Sequence, residues 1–122
     1  MKIVNGGFLM PPRFIHEPGE PAFAAAAELA EAVASRPGWS TPYAGDTTAQ
    51  RETQPREMGF RTGPWAGVCW DCGDGGRWSA FVRAADLRLS EYDADFGFFP
   101  TATGALVAAD VALDDLLVRM SR

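Results

Sequence analysis

Apolar and polar positions along this chain repeat with two different periods, and the switches between them outline its elements. Between residues 18 and 36, Phe23, Ala26, Ala27, Ala30, Val33 and Ala34 recur at steps of three and four, which places them on one helical face. Glu28 and Glu31 fall on the other side. Pro21 suits a first helical turn, Glu17 and Glu20 complement its positive end, and Pro37-Gly38 terminates it after Arg36. A second helix is predicted from an N-cap at Thr101 or Thr103 to about Met120. Its stripe is Leu106, Ala109, Leu113, Leu116, Leu117 and Met120. Val107, Val111 and Val118 form another apolar flank, with Asp110 and Asp114 between the two. A helix apolar on two flanks packs against two neighbours, so a homodimer through Val107, Val111 and Val118 is one expectation.

From Trp65 to Tyr92 the period becomes two. Residues 65–71 and 77–83 read as antiparallel strands joined through Gly73-Asp74-Gly75-Gly76, with Asp74-Gly75 as a two-residue hairpin turn. That turn sets Cys69 opposite Ala80 and Val68 opposite Phe81. A third strand, Asp86 to Tyr92, alternates Leu87 and Leu89 with Arg88 and Ser90, and Glu91 to Gly97 reads as an acidic bend. At the start, Asn5-Gly6-Gly7 splits Met1 to Met10 into two apolar pieces, a short strand or small hairpin. Residues 37–64 show no sustained period and read as a long irregular loop, anchored by Trp39 and Tyr43, with a short strand near Met58 to Arg61. The predicted architecture is one α+β domain over residues 1–122. Its order is a short N-terminal β segment, a helix, a three-stranded antiparallel meander and a C-terminal helix, with both helices on one sheet face.

Composition narrows the function classes. The chain has 122 residues, enough for one domain with a hydrophobic core and no stapling metal or disulfide. Its 11 Lys+Arg against 16 Asp+Glu give a net charge of −5. Phosphate neutralisation needs clustered bases, so nucleic acid is not the expected partner. No apolar run approaches the roughly 20 residues that span a bilayer, and no continuous apolar leader opens the chain. The cytoplasm is therefore the expected compartment.

Candidate chemistry is sparse. Cys69 and Cys72 have C-x-x-C spacing, but Gly73-Asp74-Gly75-Gly76 follows, where a redox pair would begin a helix, and a zinc site lacks a second pair. Small apolar strand residues are the reading that fits. His16, the one histidine, is the only general base in a Ser–His or Cys–His scheme, and no nucleophile-elbow pattern surrounds a serine. Asp95-Phe96-Gly97 matches a kinase magnesium tripeptide by spelling alone. Counting twelve positions from Asp93 reaches Gly104, where a calcium loop requires Glu. No cofactor or metal is expected.

Two groups remain as candidate binding residues. One is acidic: Asp93, Asp95, Asp110 and Asp114. The other is aromatic: Trp70, Trp78 and Phe81 on the meander, with Trp39 and Tyr43 in the loop. Together they predict a small acidic, non-enzymatic protein-binding module, of an inhibitor or immunity type, that docks on a basic partner. A small-molecule binder with an aromatic pocket between sheet and helices is the alternative. A small enzyme using His16 or the Cys69/Cys72 pair is the third reading.

Overall fold

The first helix, α1, runs Pro21–Ala34, with Pro21 in its opening turn where a missing N–H costs nothing. A computed structural model describes residues 16–71, 76–86 and 90–122, with the backbone alone at 85–86 and 90–93. The β piece expected in Met1 to Met10, Cys72, and Leu87 and Leu89 lie outside the described residues. α1 buries Ala25, Ala26, Leu29 and Ala32, with Val33 packed alongside. This face is rotated from the expected one: Phe23 is 43% exposed, and Ala27 and Ala30 are exposed as well. The rotation follows from Leu29. Burying its isobutyl group stabilises by roughly 1.5–3 kcal/mol, more than the alanine methyls it displaces outward.

The last helix, α2, spans Ala102–Met120. Thr101 is its cap, its hydroxyl accepting from the Gly104 N–H at 3.1 Å. Ala102, Ala105, Leu106, Ala109, Leu113 and Leu116 are buried, and Leu117 and Met120 pack against them, so the expected stripe is the core face. Glu28 joins the two helices: its carboxylate accepts the Ala102 N–H at 2.7 Å, one of the orphan donors of the first turn. Glu28→Ala should cost about 1 kcal/mol by exposing that donor. A thermal melt would show it as a shift of several degrees, with Glu28→Gln falling between the two.

The sheet has five antiparallel strands in sequential order: β1 Trp39–Ser40, β2 Thr48–Glu52, β3 Trp65–Asp71, β4 Arg77–Asp86 and β5 Ser90–Phe99. The α+β class holds, but the strand count and the meander detail differ from expectation. β1 and β2 form within the stretch read as an irregular loop. β5 occupies the stretch read as an acidic bend. The hairpin register differs too: Val68 faces Ala80 and Gly67 faces Phe81, with Asp71 opposite Arg77. That register does not fit a two-residue turn centred on Asp74-Gly75, which lies outside the described residues. A one-residue slip moves every side chain to the other face, and the apolar pattern decides the outcome. In the observed register Ala66, Val68, Trp78, Ala80, Val82 and Ala84 all enter the core beneath the helices. Alanines on both surfaces let helix and sheet approach closely, and Trp78, Leu106 and Leu113 fill the space between.

Both helices lie on that single face. α2 packs against β3, β4 and β5, and α1 against β1, β2 and α2. The alternate residues of the strands point the other way, and no described helix covers them.

Candidate functional site

The open face of the sheet is built by strand alternation. On β3 it presents Trp65, Gly67 and Cys69, and on β4 Arg77, Ser79, Phe81 and Arg83. β5 adds Asp95 opposite Phe81 and Phe98 opposite Ser79. Trp65 and Phe81 meet edge to face, with ring centroids 5.6 Å apart. Gly67 permits this, because the Phe81 ring lies over its Cα where a Cβ would stand 2.3 Å from a ring carbon.

Each aromatic carries a guanidinium. Arg61 stacks 3.8 Å above the Trp65 ring, Arg83 lies 4.5 Å from Phe81, and Arg77 lies 5.1 Å from Phe98. Such pairs contribute about 0.5–1 kcal/mol each at exposed sites. Carboxylates compensate the cations: Arg83 pairs with Asp95 at 3.1 Å, and Arg56 with Glu52 at 2.6 Å. Arg61 reaches Glu52 at 3.6 Å and donates to Gln50. The hydrogen bond from Arg56, reinforced by the charges of Arg56 and Arg61, holds the Glu52 carboxyl below its ordinary range. The result is an aromatic surface whose named charged groups are four arginines and two carboxylates.

A tight turn projects beside it. Glu57 and Phe60 exchange backbone hydrogen bonds of 3.0 and 2.9 Å across Met58-Gly59. Both central residues have positive φ, 52° for Met58 and 83° for Gly59, the requirement of a type I′ turn. Thr53 and Thr62 brace its base by donating to the carbonyls of Pro64 at 2.6 Å and Pro55 at 2.8 Å. The tip therefore presents Met58 at 95% exposure and Phe60 at 74%.

The sequence-predicted residues separate. Asp110 does not face outward. It is 15% exposed and accepts from Arg36 at 2.7 and 2.9 Å, Arg51 at 2.8 Å and the Trp39 indole at 2.9 Å. Burial raises its pKa, but the bonds from Arg36, Trp39 and Arg51 outweigh this and hold it below the ordinary carboxylate range. Asp114 adds a 3.0 Å pair with Arg51. Asp95 lies across the sheet from both, on the open face, and the Asp93 side chain is outside the described residues. The acids do not form one surface.

Trp70 and Trp78 face each other on the helix side, while Phe81 is on the open side, so the three do not line one pocket. Trp39 is buried and Tyr43 is partly exposed. A groove of about 270 Å³ lies elsewhere, along α1, lined by Phe23, Ala27, Ala30 and Gly45 with His16 at one end. His16 Nδ1 is 3.8 Å from a Glu20 oxygen, and Cys69 Sγ lies 3.4 Å from the Thr48 hydroxyl. Among the described residues no group of three or more His, Cys, Asp or Glu could hold a metal ion, and no helix is long and apolar enough to cross a membrane. Val107, Val111 and Val118 all stand exposed on the outward side of α2. Met58, Phe60, Arg61, Trp65, Arg77 and Arg83 are site residues that are not among the candidate binding residues named from the sequence. No protein-family model, no curated protein and no solved structure matches the chain.

Proposed function

We propose that this chain is a non-enzymatic protein-binding module, of an inhibitor or immunity type, that docks on a basic partner through its open sheet face and the adjoining turn. Met58 carries the reading. A non-glycine residue with positive φ costs roughly 1–2 kcal/mol that Gly would avoid, and here the strained side chain buries nothing within its own fold. An exposed Met and Phe beside stacked aromatics and arginines have the composition of a binding hot spot. The net charge of −5 supports a basic partner, by steering encounter over distances longer than the contacts themselves.

The test separates stability from capture. Met58→Gly should raise stability by up to about 1 kcal/mol, because it relieves the turn. The double variant Met58→Gly/Phe60→Ser should melt no lower than the wild type, yet lose the partner in crosslinking capture from host lysate. Undiminished capture by this variant, and by one with Trp65→Ala and Phe81→Ala, would remove the open face and turn from consideration.

A further inference from the structure

The sheet has two unlike edges. β1 is two residues long, too short to template another strand. β5 is ten residues long, against a typical strand of about five or six, and among the described residues it pairs with β4 alone. Among the described residues, therefore, no strand pairs with the other side of its backbone. Edge strands are commonly blunted with charged side chains, Lys above all, with Pro or with bulges, and a charged edge favours only a strand of opposite charge. β5 contains no Lys, Arg or Pro. Its one irregularity, where Phe96 and Gly97 together oppose Ala80, falls near its end and leaves residues 90–95 in regular register.

Charge selects the occupant. The strand's charged residues are acids at alternate positions 91, 93 and 95. Two copies paired antiparallel through this edge would set acids against acids, which is destabilising, so a second copy is the wrong occupant. A strand bearing Lys or Arg at alternate positions is the complement. We infer that the outer edge of β5 is an augmentation site that takes an extended basic segment of the partner as a sixth strand. This rests on the protein-binding reading above and adds how the basic partner docks. Main-chain hydrogen bonds supply the affinity of such a mode, and alternate side chains supply its selectivity. Asp95 pairs with Arg83 at 3.1 Å through one oxygen and is 76% exposed on its side chain, and it is the described acid beside the incoming strand. Phe98 offers apolar surface next to it.

The probe is a ten-residue capped peptide alternating Lys and Val, set against a counterpart with Glu for Lys and against a backbone N-methylated version of the Lys peptide. Binding to the full chain is followed by fluorescence anisotropy, and site by amide hydrogen exchange. The Lys peptide should bind about tenfold or more tighter than the Glu peptide at low salt, the preference narrowing with Asp95→Lys. It should slow exchange within residues 90–99, and N-methylation should abolish binding. Equal binding of the two peptides, or binding without protection in 90–99, would overturn the site. So would outer-edge amides already protected in the free chain, independently of concentration if another segment of this chain pairs there, or rising with concentration if a second copy does. Should the turn variant lose the partner while the Lys peptide leaves β5 unprotected, the edge proposal falls and the protein-binding reading stands. Should the Lys peptide protect β5 while capture survives loss of the turn and open-face aromatics, the edge stands and the open face falls.

Discussion

Asp110→Ala is expected to destabilise the fold by about 2–4 kcal/mol, because it removes the anion from a cluster whose cations stay in place. Arg36 and Arg51 are both bonded to this one carboxylate; without it Arg51 would keep only the exposed Asp114, and Arg36 would lose its carboxylate. The Trp39 indole, itself buried, would lose its acceptor. These partners come from the end of α1, from β1 and from β2, so the loss reaches all three junctions with α2. A thermal melt should fall by on the order of 10 °C for a domain of this size. Asp114→Ala is the control: its side chain is 60% exposed and meets Arg51 alone, so its loss should cost under about 1 kcal/mol. Equal effects from the two would mean that the cluster does not hold the helices to the sheet.

The same carboxylate sets an acid limb. Its pKa is depressed in the folded chain, so its contribution is fully present above the unfolded value of about 3.9 and is lost as pH falls through the lower folded value. Urea midpoints from pH 5 down to pH 2 should decline for the wild type. For Asp110→Asn they should start lower and decline less. Parallel curves would assign the acid sensitivity to other groups.

Both helices were legible because their apolar spacing is sustained and their stops, Pro37-Gly38 and Thr101, are chemically strong. The errors lie where two patterns compete. Glu91 to Phe96 alternates acid with apolar residue, a strand period, yet its charge density reads as a bend. A charged residue on alternate positions is compatible with an edge strand, and that signal was available. Register was not: Asp74-Gly75 is a strong local turn pair, and only the burial of Trp78 with Val68 shows that tertiary packing overrides it. Asp110 and Asp114 look like a solvated face in one dimension, because their cations, Arg36 and Arg51, are more than fifty residues away in sequence. The open face was half legible. Its aromatics are visible as strand residues, but Arg61 over Trp65 depends on a turn whose Met58-Gly59 centre differs from the preferred Asn-Gly.

Gly67→Ala is expected to reverse the sign of its effect when Phe81 is absent. Gly67 has no positive φ to excuse it, so its backbone admits any residue, and its value is the space it leaves. In the wild type an added Cβ would come within 2.3 to 2.7 Å of three Phe81 ring carbons, so the ring must swing off the glycine. That movement breaks the edge-to-face contact with Trp65 and carries Phe81 away from Arg83. Overpacking of this kind costs about 1–3 kcal/mol. With Phe81→Ala already made, the same Cβ meets no ring, and alanine gains over glycine in a strand by about 0.5–1 kcal/mol through its smaller backbone entropy. The double-mutant cycle should therefore give a coupling energy of about 1.5 kcal/mol or more between positions 67 and 81. Its functional counterpart follows from the same geometry: Gly67→Ala leaves every open-face side chain in the chain but displaces one of them, so partner capture should weaken to the level of Phe81→Ala. If stability drops equally in both backgrounds, the cost belongs to the β3 backbone. The aromatic platform would then not depend on the glycine beneath it.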